Sequence, residues 1–235
     1  MRSLLLYTLI VFAFISCKKD PVLEDKPDLG YDYFPVNIGK YIIYDVDSTA
    51  YRALEGDTVK AIFRVKEQLE EVFTDNQGRT TYRMVRYKKN YDATIPYDSM
   101  QWTLQDVWAV NVTNTTAEVV EENVRFIKLI FPVLENNTWN GNAQNTMEAW
   151  DYEYSEVDDH VSYNSVHYEN VITVTQKKYS TALGRQLYEE KYAKGIGLIY
   201  KEASDYTFKV INGILQPGII DQGIIYKMKI VSYHL

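Results

Sequence analysis

From Phe34 to the C-terminus, apolar and polar residues alternate with a period of two almost everywhere. Val59, Ala61, Phe63, Val65 and Leu69 alternate with Lys60, Arg64, Lys66, Gln68 and Glu70. Trp150, Tyr152 and Tyr154 alternate with Asp151 and Glu153. The same holds for Val166, Tyr168, Ile172 and Val174 against His167, Glu169, Thr173 and Thr175, and for Ile224, Tyr226, Met228 and Ile230 against Lys227 and Lys229. One apolar face per segment marks half-buried antiparallel strands. Turn chemistry separates them: DNQG at Asp75–Gly78, and Asn-Gly at 140–141 and at 212–213. The pattern predicts roughly ten to twelve strands, some long enough for a curved sheet or barrel. The expected fold is all-β: a single antiparallel, strongly curved sheet or β-barrel, lipocalin-like or half-barrel, with few or no helices.

Two segments need arbitration. Leu183 and Leu187 are four apart, as in a short helix, but Gly195-Ile196-Gly197 downstream permits a tight bend or bulge, which favours a strand over Gln186–Lys194. The run Val124–Val133 is apolar on both faces and is assigned to the centre of the sheet, with Pro132 ending or bulging it. No repeat and no composition break divides the body, so residues 34–235 read as one β-domain.

Residues 1–16 follow another logic. Arg2 precedes an apolar run from Leu4 to Ile15, and Ser16 is a small residue before Cys17. This is the layout of an export signal, and the run is shorter than the roughly 20 residues a spanning helix needs. Phe14-Ile15-Ser16-Cys17 resembles the lipobox of bacterial lipoproteins, with Phe14 where leucine is usual. In that pattern cleavage leaves Cys17 first, its sulfur carrying a diacylglycerol and its amine, in many bacteria, a further acyl chain such as palmitate; two or more chains give stable anchoring. Residues 17–33 carry charges of both signs, Pro21, Pro27 and Gly30 without periodicity, and read as a lipidated flexible tether. Lys18, where aspartate would signal inner-membrane retention, points to the outer membrane, lipid-anchored and facing the periplasm or the cell surface.

Composition narrows the functions. The 235 residues carry a net charge of −7, with no basic surplus for binding nucleic acid through its phosphates. A single cysteine excludes a disulfide framework and a cysteine-based zinc site. Tyrosine is abundant, 21 against 8 phenylalanines, as half-buried sheet faces favour.

The stretches Phe34–Thr49 (FPVNIGKYIIYDVDST) and Tyr192–Glu202 (YAKGIGLIYKE) together resemble a family of uncharacterised Bacteroidetes-type outer-membrane lipoproteins. Its mature domains open with F-P-L-x-x-G-x-Y-W-x-Y and later carry Y-A-x-G-V-G-L-V; here Ile42 stands where tryptophan is common. The resemblance implies a lipocalin-like or carrier-like curved sheet at the envelope and brings no established activity. On the residues themselves, Gly39 closes the turn into the first strand, and Tyr41 and Tyr44 anchor its ends.

No motif announces an enzyme or a cofactor. There is no G-x-S-x-G and no phosphate-binding glycine loop, and among 32 acidic residues any nominated pair would be uninformative. Asp158-Asp159-His160 with His167 could compose a weak divalent-cation site, but reads better as a solvated acidic strand end and turn, so no metal is expected. Trp102, Trp108, Trp139 and Trp150 are the candidate ligand-binding residues, packing being the plain alternative; Trp102 and Trp108, on either side of Gln105-Asp106, are candidate cross-strand neighbours. Asp47-Ser48-Thr49, Asp57-Thr58-Val59 and Asp98-Ser99-Met100 match the D-[ST]-[AILMVT] pattern of envelope O-glycosylation, giving Ser48, Thr58 and Ser99 as acceptors. The expectation is a non-catalytic envelope lipoprotein that binds a small hydrophobic or glycan ligand. The alternative is a protein-interaction accessory of an outer-membrane assembly.

Overall fold

The computed structural model describes residues 27–235, and the signal and Cys17 lie outside them. The alternating segments form twelve strands: β1 (Tyr41–Arg52), β2 (Asp57–Thr74), β3 (Thr80–Asn90), β4 (Thr103–Val112), β5 (Thr116–Glu121), β6 (Val124–Ile130), β7 (Thr138–Asn140), β8 (Asp151–Tyr163), β9 (Val166–Thr181), β10 (Gly184–Ala193), β11 (Gly197–Ile211) and β12 (Ile214–His234). The only other regular elements among the described residues are two 3₁₀ turns, at Tyr31–Tyr33 and Tyr97–Ser99. Every strand pairs antiparallel with its chain neighbours except at one point, and β1 pairs with β12 to bring the ends of the chain together. The result is an up-and-down barrel of one sheet, open only between β6 and β7.

The expected turns fall where their chemistry allows. Asn212-Gly213 joins β11 to β12 with both residues at positive φ, as a two-residue hairpin needs. Within Thr181–Ala193, Gly184–Ala193 is strand β10 rather than helix, and Gly195 and Gly197 turn the chain into β11 at φ 77° and 97°. Gly223, inside β12, is demanded by packing as well as by its φ of 130°. A Cβ there would sit 2.1 Å from the carbonyl oxygen of Asp205. Gly223→Ala is expected to cost about 1–3 kcal/mol or more, read as a lowered urea midpoint. An unchanged midpoint would show that β11 and β12 are not packed this closely.

The assignment of Val124–Val133 to the centre of the sheet is wrong. β6 is an edge strand, and Val124–Val133 is apolar on both sides because the seam is covered rather than because neighbours flank it. The cover is specific. The Trp139 indole N–H donates to the Ile127 carbonyl at 2.9 Å, and the Ile127 amide donates to the Gly141 carbonyl at 2.9 Å. Tyr154 reaches across from β8; its hydroxyl donates to the Ile130 carbonyl at 2.7 Å and accepts from the Ile130 amide at 2.9 Å. An edge that would otherwise expose unpaired backbone groups is thus closed by two side chains and a backbone hydrogen bond. Trp139, Tyr152, Tyr154, Ile172, Val174, Leu129 and Phe131 form the main core beneath it.

One end of the barrel is stoppered by the arm before β1. The Val133 amide donates to the Leu29 carbonyl and the Gly195 amide to the Asp32 carbonyl, Tyr33 is buried, and Leu69 and Lys40 share a backbone hydrogen bond. From Asp28, whose carboxylate pairs with Lys194, the last residues of the 17–33 stretch lie against the barrel. The hairpins β1–β2, β9–β10 and β11–β12 turn at the opposite end.

Candidate functional site

A twelve-stranded barrel is too wide for ordinary aliphatic side chains to fill, since the diameter grows with strand number. Large ones are used here: Tyr44, Tyr154 and Tyr192 are fully buried. A cavity of about 290 Å³ remains. Its apolar wall includes Phe34, Pro35, Ile42, Leu69, Met84, Trp108, Val119, Leu198 and Met228. Its polar wall is charged: Lys40, Glu67, Arg86, Glu121, Lys128, Glu190 and Lys201.

The backbone delivers these charges inward by two devices. The first is phase. Lys40 precedes Ile42, Tyr44 and Val46, the buried positions of β1, and Glu67 stands between Val65 and Leu69 on the buried face of β2. Inward parity thus carries a charge as readily as a methyl, provided a partner meets it. The second is a β-bulge. Ala117 pairs with Leu129 but Glu118 with Ile127, which leaves Lys128 as the extra residue of β6 and re-aims its side chain.

Lys128 donates from its buried ammonium to Glu121 at 2.7 Å and to Glu190 at 3.1 Å. Glu190 also lies 3.3 Å from Lys201 and accepts from the Tyr192 hydroxyl at 2.6 Å. Burial alone would raise the Glu190 carboxyl, but the ammonium groups of Lys128 and Lys201 and the Tyr192 and Lys128 hydrogen bonds overcome it and hold it at about 2. Burial likewise opposes charging of Lys128, and the two glutamates outweigh it and raise its ammonium. A second cluster stands beside the first. The Arg86 guanidinium bonds Glu67 and Asp106, each at 3.0 Å, and lies 3.9 Å from the centre of the Trp108 ring. Lys40 differs from all of these: its ammonium donates to the Pro35 carbonyl at 3.0 Å. Burial, only partly offset by the field of Glu67, brings it down to about 8.

The structure separates the four tryptophans. Trp108 lines the cavity. Trp139 is buried at the seam with its N–H bound to Ile127, and Trp150 packs edge-on to Tyr188 at 4.9 Å beside the same core. Trp102 sits just before β4, with Lys89 4.5 Å and Lys66 5.7 Å from its ring. Trp102 and Trp108 are not cross-strand neighbours. Gln105-Asp106 is interior to β4 rather than a turn, and the partner opposite Trp108 is Met84.

Asp158-Asp159-His160 is also no strand end. It lies inside β8, where the pairing with β9 is repeatedly bulged. The His160 and His167 rings do meet, 5.5 Å apart, with the Asp159 carboxylate 3.9 Å from His160, but no group of three or more ligands able to hold a metal ion forms among the described residues. Asp158 instead accepts from the Tyr33 hydroxyl at 3.1 Å, tying the arm to β8. Of the O-glycosylation candidates, Thr58 and Ser99 are exposed, whereas Ser48 is half-buried in β1 between Ala61 and Tyr226.

The cavity charges themselves escaped sequence reasoning, although a signal existed. Glu67 and Lys40 break the apolar phase of their strands without breaking its period, and Lys128 interrupts an otherwise apolar run from Phe126 to Val133. The two stretches that carry the family resemblance supply ten of the 21 lining residues, among them Lys40 and Gly197.

No family model matches this chain, and no curated protein matches it. Among solved structures, one described as a candidate lipoprotein from Parabacteroides distasonis is similar at 8% identity with a TM-score of 0.32, covering 89% of this chain and 100% of that one. That likeness is too distant to assign a family.

Proposed function

We propose that this chain is a non-catalytic lipoprotein of the bacterial outer membrane, anchored through Cys17, whose barrel holds a small ligand with an apolar body and a polar group. The cavity is the observation that carries this reading: a space near the lower end of the range for ligand pockets, with an apolar wall facing a layer of paired charges. Such a lining suits an amphipathic molecule better than a purely hydrophobic one, because a wholly apolar ligand would strip water from the charges and return nothing. Only Trp108 of the four tryptophans belongs to this binding role. Native mass spectrometry of protein drawn from its own host should find a non-covalent adduct that dissociates on unfolding. Repeated preparations free of any adduct would defeat the reading.

The anchor has its own test. Cys17→Ser is expected to leave the precursor unprocessed, without acyl mass and released from the outer-membrane fraction. A variant that stays membrane-bound at the mature mass would remove Cys17 from that role.

A second reading, an accessory tethered beside an outer-membrane assembly, is favoured by one observation. Leu54, Val59, Val210, Ile211 and Ile214 are exposed on the β1–β2 and β11–β12 hairpins, at the end away from the arm. An anchor reaching the barrel through the arm would point these hairpins away from the membrane, where their exposed apolar side chains would be available to a partner. Crosslinking in the intact envelope should then capture one reproducible protein partner, and its consistent absence would retire this reading.

A further inference from the structure

We infer that the cavity ligand carries a carboxylate and that Lys40 receives it; this rests on the binding reading above. The inference starts from an imbalance among the cavity cations. Arg86 has Glu67 and Asp106, Lys128 has Glu121 and Glu190, and Lys201 has Glu190. Lys40, 7% exposed, is as buried as Arg86 and Lys128, yet among the described residues no carboxylate comes within ion-pair distance of it. An ammonium has three protons to donate, and the Pro35 carbonyl takes one. A buried charge left in this state is costly unless something pairs with it.

The surroundings hold the place open. Lys40 cannot retreat, because Gly39 and Leu69, and Leu69 and Lys40, are joined by backbone hydrogen bonds that fix the start of β1 to β2. Gly197 faces the ammonium from β11; a Cβ there would stand 3.3 Å from Nζ, so any side chain at that position would crowd the head group. Its φ of 97° favours glycine independently. Phe34, Leu69, Leu198 and Met228 line the same space and offer an apolar wall to the rest of a ligand.

One ammonium without a counterion calls for one negative charge. A carboxylate supplies that charge with acceptors for the two free protons, whereas a neutral sugar or alcohol would leave the charge unpaired. Arg86, Lys128 and Lys201 each have a carboxylate within ion-pair distance, so they add no demand for a second anion. The ligand class is therefore a small monocarboxylate with an apolar body. Burial depresses the ionisation of this ammonium, and the field of Glu67 only partly offsets it.

The test is calorimetric titration of the full chain with 4-phenylbutyrate and with its neutral counterpart 4-phenylbutanol. Wild-type protein should bind the carboxylate at least tenfold more tightly. Lys40→Met should abolish that preference while keeping the alcohol's affinity, and Lys40→Arg should keep part of it. Equal binding of both probes by wild type would overturn the carboxylate assignment and leave the cavity reading standing; binding of neither would overturn both. A measurement free of any variant guards against misfolding: side-chain NMR of Lys40 in the wild-type chain should show its ammonium signal shifting on addition of 4-phenylbutyrate. A Lys40 signal that stays still while the carboxylate binds would place the anion elsewhere and sink the assignment.

Discussion

Lys128→Met is expected to destabilise the barrel by about 3–5 kcal/mol at neutral pH, more than its loss of a single surface ion pair could explain. The substitution leaves a side chain of similar length at the bulge but strands Glu121, which loses its 2.7 Å partner, and takes from Glu190 one of two cations. Both carboxyls lie below their ordinary range: burial raises them, and the neighbouring ammonium groups more than reverse it. The sign with pH follows. In the wild type, a carboxyl held at about 2 contributes stability that is fully present above the unfolded value near 4.5 and is lost as pH falls from 4.5 towards 2. In Lys128→Met the carboxyls lose the cation that lowered them, burial raises them, and protonation now relieves the folded state. The deficit should therefore be greatest at pH 7 and should narrow below pH 4.5. Urea unfolding at pH 7 and pH 4 measures both. A deficit that is small at pH 7, or that widens in acid, would mean these charges are solvated rather than interior. The double variant Lys128→Met with Glu121→Gln should recover much of the loss, because removing both partners leaves no uncompensated charge.

Trp139→Ala should cost about 3–5 kcal/mol, and the loss should appear at the seam. The indole fills the core between Tyr152 and Tyr154 and gives its N–H to the Ile127 carbonyl. Deleting it opens a void and leaves that carbonyl without its side-chain donor. Trp139→Phe keeps most of the packing and drops only the hydrogen bond, so its cost should fall to about 1–3 kcal/mol. Hydrogen exchange gives the location: amides of β6 and β7 should lose protection before those of β1 and β12, which are paired on both sides. Uniform loss across the barrel would show that the gap between β6 and β7 is not the weak joint.

The two variants probe features that differed in how far the sequence disclosed them. Trp139 could be named as a large aromatic of uncertain use, and only its distance to Ile127 made it part of the closure. Lys128 was visible as a charge within an apolar run, but nothing in Val124–Val133 says that its partner is Glu190, 62 residues away. The misplacement of β6 has the same origin. Two apolar faces mean burial on both sides, and burial can come from flanking strands or from side chains folded over an edge. Trp102 and Trp108 flank Gln105-Asp106 and are candidate cross-strand neighbours on sequence alone, whereas Asp106 is held within β4 by Arg86 at 3.0 Å.

By itself the sequence determined an all-β chain, where some of its strands turn, and a single sheet that curves, because period-two alternation and Asn-Gly turns act over a few residues and need no distant contact. Residues 1–17 also carry the pattern on which the proposed anchor rests, which is a matter of local chemistry alone. Only the tertiary structure decided that the sheet has twelve strands with β1 closing on β12, that the gap falls between β6 and β7, and that the interior is charged. The reason is physical. Alternation distinguishes two faces without saying which partner each will meet. In a barrel this wide a charge may face inward once an opposite charge from a remote strand meets it, and Lys40 is the inward cation whose partner the chain does not supply among its described residues.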